Sequence, residues 1–290
     1  MKRFCCILLL LFLSGPVAAQ AFVPNLGPDL PSITVRCGEV TLMLRRHSQW
    51  TPARIDFRGT PMTTERSAYG TVFRYPEIGF IGTGHLENEP EELQSLTFYV
   101  DGKEVVTPTA ELSGETFRFV RESKIRGFRL TNVFEIKEDR LYETTTVATD
   151  VETPLDLVYH FMHAWTPTVS VLMAGSDAKP EADLIQPLLN DDEVDHKFYI
   201  NAAVDWMSVY EPGSQQFAVS RLLETPATAS STSKVWNVVG TYRKYYLTAF
   251  QNQTVPKGFK GTWRMVTGFG EGDREQWPAA ARTLASELSK

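Results

Sequence analysis

From Ser32 onward, apolar and polar residues alternate along most of the chain, the period of a strand with one face buried. Ile33-Thr34-Val35-Arg36 and Val40-Thr41-Leu42-Met43-Leu44-Arg45 lie on either side of Cys37-Gly38-Glu39, which reads as a turn. Residues 53–58 repeat the pattern and stop at Gly59, and residues 71–75 do so before Pro76. Residues 93–100 alternate up to Asp101-Gly102, a pair that tolerates the positive φ angles of a two-residue hairpin. Three longer runs follow at 116–121, 127–136 and 140–147, separated by Glu122-Ser123-Lys124 and Lys137-Glu138-Asp139. They predict an antiparallel meander with β-branched and aromatic residues on one side and charge on the other.

The second half continues in the same texture. Residues 147–158 read as a loop and then a strand leading into Tyr159-His160-Phe161-Met162-His163-Ala164-Trp165, and 169–173 is a short apolar run. Residues 175–197 break the pattern with Pro180, Pro187 and a surplus of acids; they read as a long surface excursion with at most a short helix around 182–189. Strands resume at 197–200, 203–210, 216–221, 235–239, 245–250 and 261–268. Residues 277–290 are the one convincing helix, with Pro278 in the first turn and Gly272 or Asp273 just outside. The prediction is an all-β protein: a large antiparallel β-sandwich of stacked sheets with one C-terminal helix, 22–290 forming a single domain. No blade-length repeat supports a propeller.

The first 21 residues fall outside that pattern. Lys2 and Arg3 precede the apolar run Cys5 to Leu13, which Ser14-Gly15-Pro16 breaks, and small residues end at Ala19 and Ala21. This is the layout of a secretory signal peptide cut after Ala19 or Ala21, so the expected location is periplasmic or extracellular, with no stable membrane insertion afterwards. The chain carries a formal charge of −6, and loss of Lys2 and Arg3 makes it −8, which gives nucleic acid no basic footprint. Removal of Cys5 and Cys6 leaves Cys37 alone, so an internal disulfide is excluded and the fold must be held by its core. Asp191, Glu193 and Asp195 alternate like a calcium loop, but His196 and Ala202 stand where the Gly and the final Glu belong. Motifs for a serine nucleophile, a phosphate-cradling loop or a cysteine metal cluster are absent, and no cofactor or metal is expected.

Two segments carry the candidate chemistry. In Gly82-Thr83-Gly84-His85-Leu86-Glu87-Asn88-Glu89, an extended backbone would point His85, Glu87 and Glu89 to one face, where an imidazole and a carboxylate make a general acid–base pair. In the central stretch, strict alternation places Tyr159, Phe161, His163 and Trp165 on one face and Val158, His160, Met162 and Ala164 on the other. Unless a bulge intervenes, the two histidines cannot line one pocket. His163 sits with aromatics of the kind that stack on sugar C–H faces, with Tyr159 as a second proton carrier, and His160 reads as a core residue. Trp165, Trp206, Tyr242, Arg243 and Arg264 are the candidates to line the substrate pocket.

The early Gly-His segment, the mid-chain Thr153-Pro154-Leu155-Asp156-Leu157-Val158-Tyr159-His160 strand and the single long all-β chain resemble the galactose-mutarotase-like β-supersandwiches. That group includes aldose epimerases and the β-domains of polysaccharide lyases. The resemblance implies a carbohydrate partner and acid–base chemistry by His with a carboxylate, or by His with Tyr. In an epimerase it also implies a late Glu on a strand; here the matching letters, Glu275-Gln276-Trp277-Pro278, open the terminal helix instead. The expected function is therefore a secreted epimerase-like or lyase-like carbohydrate-active protein, the alternative being a non-catalytic carbohydrate-binding or cell-envelope protein on the same fold. Catalysis requires His85 or His163 to stand within hydrogen-bond reach of a second titrating group.

Overall fold

The computed structural model of the chain describes residues 30–66, 69–85, 87–187 and 198–290. The leader and the acidic run at 190–195 lie outside the described residues. The largest sheet has ten strands in the order β16 (Lys179–Pro187), β15 (Val171–Ser176), β18 (Trp206–Glu211), β19 (Gln216–Glu224), β23 (Lys260–Glu271), β12 (Arg140–Thr149), β11 (Phe128–Lys137), β10 (Phe117–Ile125), β7 (Glu92–Val100) and β8 (Lys103–Glu104). A six-stranded sheet runs β17 (Phe198–Ala202), β20 (Ser231–Val238), β21 (Tyr242–Ala249), β14 (Leu157–Trp165), β5 (Val72–Tyr75) and β6 (Gly79–Gly82). A five-stranded sheet holds β4 (Thr60–Pro61), β3 (Thr51–Phe57), β2 (Val40–Arg45), β1 (Ser32–Cys37) and β9 (Glu111–Gly114), and β13 (Thr153–Leu155) pairs with β22 (Gln253–Val255). Among the described residues every strand pairing is antiparallel except β1 with β9.

One apolar core joins the inner faces. Phe98, Phe117, Phe119 and Phe134 of the large sheet meet Val35 and Leu42 of the five-stranded sheet and Phe73, Val158 and Leu247 of the six-stranded sheet. Helix α1 (Trp277–Glu287) covers the opposite face of the large sheet, with Trp277, Ala281 and Ala285 against Tyr210, Phe217 and Val266. Asp273 accepts hydrogen bonds from the Glu275 and Gln276 backbone N–H groups just before that helix, as its expected start requires. The predicted sandwich with one C-terminal helix is the observed architecture, and the Asp101-Gly102 hairpin forms with φ of 50° and 74°.

Two local expectations fail for physical reasons. Glu122-Ser123-Lys124 is not a turn: β10 continues to Ile125, because Arg121 and Ser123 keep the inward alternation as buried polar residues. Residues 175–187 are not a surface excursion. They form a hairpin of β15 and β16 in register from Val171↔Pro187 to Ser176↔Lys179, with Leu184 and Ile185 left exposed on an edge strand.

Candidate active site

The positions of the candidates in β14 follow from one irregularity in that strand. His160 pairs with Leu247 and His163 with Tyr245, so Phe161 and Met162 together oppose Tyr246. This is a β-bulge, and Phe161 adopts φ 54°, a left-handed conformation that a bulky side chain enters only under constraint. The bulge inverts the alternation beyond it. His160, His163 and Trp165 all point into the core, whereas Tyr159, Met162 and Ala164 pack on the outward face with Val72 and Tyr246. The expected sharing of a face by Tyr159, His163 and Trp165 is therefore corrected.

On the outward face Tyr159 meets His85. Gly84, at φ 83°, turns the chain after β6, and the His85 N–H bonds back to the Gly82 carbonyl at 3.0 Å. His85 Nε2 then lies 2.6 Å from the Tyr159 hydroxyl, and Nδ1 lies 2.5 Å from Glu87 Oε1. A carboxylate only accepts, so Nδ1 carries the proton, donates it to Glu87, and leaves Nε2 to accept from the Tyr159 O–H. Burial pushes the His85 pKa down, opposed by the Glu87 hydrogen bond and charge and aided by Lys244. Burial raises Tyr159 well above the ordinary phenol, with smaller contributions from Tyr69, Tyr246, Glu87 and Tyr242. The resting state is thus a neutral imidazole beside a neutral phenol, joined to a carboxylate whose side chain is 55% exposed.

The loop that carries His85 is pinned at several points. Asn88 Nδ2 donates to the Phe80 carbonyl at 2.7 Å, and Arg126 grips Glu89 at 2.6 and 2.8 Å. Glu89 is thereby removed from the face it was expected to share with His85 and Glu87. Farther along, Glu91 is wholly buried and accepts from both ends of the Arg121 guanidinium, at 2.8 and 2.6 Å, and from Thr83 at 3.0 Å. Tyr69 stacks on the His85 ring, with centroids 4.0 Å apart.

Lys244 completes the face. It lies opposite Ala164 in the sheet register, and its Nζ sits 4.9 Å from the Tyr159 ring centroid, 5.1 Å from Tyr69, 5.3 Å from Tyr246 and 5.7 Å from Trp236. Among the described residues, no hydrogen bond or ion pair is made by this ammonium. Burial pushes its pKa down to about 8, with Glu87 opposing. Lys244 is not among the lining residues predicted above, although Tyr242, Lys244 and Tyr246 are two apart and share a face in β21.

The other candidates lie elsewhere. His163 Nε2 is 2.7 Å from Glu143 Oε2 across the sandwich, and both are buried. His85 and His163 therefore do not form a pair. His160 is a core residue as expected, 3.1 Å from Thr71 Oγ1 and packed on Trp263. Trp165 is fully buried against His163. Arg243 alternates inward, where it donates to Asn237 Oδ1 and the Pro167 carbonyl. Trp206 packs beneath α1. Arg264 is exposed on the large sheet, in register with Thr144 and Glu224. Tyr242 alone of the five predicted lining residues stays with the site, at its partly buried margin. The placements of Trp165, Trp206, Arg243 and Arg264 are corrections to the expected pocket: Trp165 is turned inward by the bulge and Arg243 by strand alternation, and the other two belong to the large sheet.

No protein-family model matches the sequence, and no curated protein matches it. Solved structures match in shape. The α-galactosidase AgaB of family GH36 from Geobacillus stearothermophilus aligns over 85% of this chain and 41% of its own, at 9% identity and a TM-score of 0.52. A galactose mutarotase-like protein from Lactobacillus casei aligns over 82% of this chain and all of its own, at 8% identity and TM-score 0.49. A GalM/aldose epimerase homologue from C. elegans aligns over 83% and 99%, at 11% identity and TM-score 0.47. At these identities the likeness is one of fold alone.

Proposed function

We propose that the protein is an exported carbohydrate-active enzyme that moves a proton on a sugar bound at the outward face of β14, by epimerase-like or lyase-like chemistry. The observation that carries this reading is the Glu87–His85–Tyr159 chain of hydrogen bonds, which ends on an aromatic surface. Its order of carboxylate, imidazole and hydroxyl is the one in which a histidine, oriented by a carboxylate, acts as base toward a terminal O–H. When a substrate proton is drawn toward Tyr159, the phenol proton passes to His85 Nε2 and the growing imidazolium is held by Glu87. Tyr69, Tyr246 and Trp236 supply the flat apolar surface that suits sugar C–H faces.

The test is turnover of a panel of neutral and uronic mono- and oligosaccharides, followed by optical rotation, by deuterium wash-in from D2O and by absorbance of unsaturated products. Wild type is expected to turn over at least one of them, and Tyr159→Phe and His85→Ala to lose that activity. Binding without turnover by wild type would move the protein to the non-catalytic carbohydrate-binding alternative. Export is supported by the n-region, apolar run and small residues of the leader; the mature protein should begin at Gln20 or Phe22, and an intact Met1 on the exported form would refute it.

A further inference from the structure

The ammonium of Lys244 is held by aromatic ring faces alone. It is 6% exposed, its shell is four aromatic rings, and among the described residues no acceptor takes any of its three N–H donors. Among the described residues the buried arginine Arg121 is met by Glu91, Gln49 and Ser123, whereas the other buried lysine, Lys234, lies over the single ring of Phe198 and has no proton relay beside it. What sets Lys244 apart is its place on the face that carries the Glu87–His85–Tyr159 relay, with its Nζ beside the Tyr159 ring.

We propose that Lys244 is a nucleophile that condenses with the open-chain aldehyde of a reducing sugar held on this face, with Tyr159 and His85 handling the protons. The inference rests on the reading of this face as a sugar site. The Nζ lone pair forms the N–C bond as the C=O π pair moves onto oxygen; oxygen gains a proton and nitrogen loses one, leaving a neutral carbinolamine. The carbinolamine hydroxyl then leaves as water with the Tyr159 proton, while the nitrogen lone pair closes the C=N bond. The products are a cationic imine, a phenolate beside it, and water. The iminium acidifies the adjacent C2–H, and the Tyr159 phenolate takes that proton, giving a neutral enamine and restoring the phenol. Return of a proton to C2 and hydrolysis release the sugar and the free amine. The setting suits each step. Burial brings Lys244 to about 8, so about half of it is neutral at that pH. A desolvated lysine in an apolar pocket is an activated nucleophile. Lys244 and Tyr159 are close enough for the cation and the phenolate to stabilise each other.

Wild-type protein would be incubated at pH 8 with D-glyceraldehyde and sodium cyanoborohydride, and the reduced adduct mapped by peptide mass spectrometry. Lys244 is expected to be alkylated at least tenfold faster than exposed lysines such as Lys103 and Lys257. Labelling of Lys244 no faster than these would overturn the inference. A second arm follows C2 deuterium wash-in to D-glyceraldehyde with Lys244→Arg, which keeps a cation among the rings but forms no imine; its folding is checked by thermal melting. A loss of at least a hundredfold is expected. Retention of activity by Lys244→Arg while Tyr159→Phe is dead would overturn the nucleophile and leave the sugar reading standing. Retention by both variants would overturn the two together.

Discussion

Two histidines in this protein are each held by a glutamate, and only one of them leads anywhere. His163 and Glu143 meet at 2.7 Å between the two sheets, and the second ring nitrogen of His163 has no hydrogen-bond partner. His85 and Glu87 meet at 2.5 Å on the outward face, and the second nitrogen of His85 takes the Tyr159 hydroxyl. The first pair is a closed contact that ties β14 to β12. The second is a relay with an exposed carboxylate at one end and an aromatic surface at the other. A histidine beside an acid is thus not a site by itself; the free ring nitrogen and its path outward decide.

The largest effect should separate these two pairs by activity. His85→Ala and Tyr159→Phe are each expected to reduce turnover of the best glycan substrate by about 10²–10⁴-fold, the range for loss of a positioned acid or base. Their thermal midpoints should stay near wild type. His163→Gln should lower the midpoint while leaving turnover per folded molecule unchanged. If His163→Gln is silent in stability but abolishes turnover, the roles assigned to the two histidines are reversed.

Next in size is the anchor beneath the relay. Arg121 and Glu91 have fully buried side chains, so Glu91→Ala leaves a guanidinium without its counter-charge in the core. Breaking such a pair from one side costs about 3–5 kcal/mol. Denaturant unfolding should show that loss, and the surviving folded fraction should turn over more slowly, because Glu91 also holds Thr83, two residues before His85. A loss of less than about 1 kcal/mol, the scale of an exposed pair, would mean that water reaches Arg121.

The inner face of β14 also makes a pH prediction. Burial holds His160 near 3, below the ordinary histidine value of 6.5. A folded-state pKa below the unfolded one means that the unfolded chain binds the extra proton as pH falls. The stability is therefore full above 6.5 and is lost progressively down to about 3, with about 2 kcal/mol gone from this group by pH 5. Comparing wild type with His160→Gln by denaturant unfolding at pH 7 and pH 5 isolates it, since the variant should lose less over that interval. Equal losses would place His160 in contact with solvent.

Much of the fold was legible because period-two alternation and turn chemistry are local. Asp101-Gly102 and the β10–β11–β12 meander needed nothing beyond their own residues. The misplaced turn at Glu122-Ser123-Lys124 shows the limit: charge marks a turn only when no partner waits inside, and the partner of Arg121 is thirty positions away in sequence, at Glu91. The candidate site was half legible for the same reason. His85, Glu87 and Tyr159 were named, but their meeting depends on the bulge at Phe161-Met162, and glycine, the residue that commonly marks a left-handed bulge position, is missing there. One extra residue moved His163 and Trp165 to the inner face, as a one-residue slip in register must. Of the neighbours Arg243 and Lys244, the sequence names Arg243 as a lining residue, and alternation sends it inward to Asn237.

The smallest effect tests the direction of the relay itself. Glu87 can only accept, so it fixes the proton on His85 Nδ1 and leaves Nε2 open to the Tyr159 O–H. In Glu87→Gln the amide can donate to Nδ1 through its NH2 group, which favours the proton on Nε2, where that nitrogen donates to the Tyr159 oxygen and can no longer take the phenol proton. Glu87→Ala removes the preference without reversing it. The glutamine variant should therefore be the slower of the two, although alanine removes more atoms. Because Glu87 is more than half exposed, water substitutes for part of its work, and the gap should be about tenfold rather than the 10⁴-fold seen when a buried triad carboxylate becomes an amide. Steady-state rates of the two variants on one substrate decide it. An alanine variant slower than the glutamine variant would mean that Glu87 acts by its size and position, and that the His85 proton resides on the nitrogen facing Tyr159.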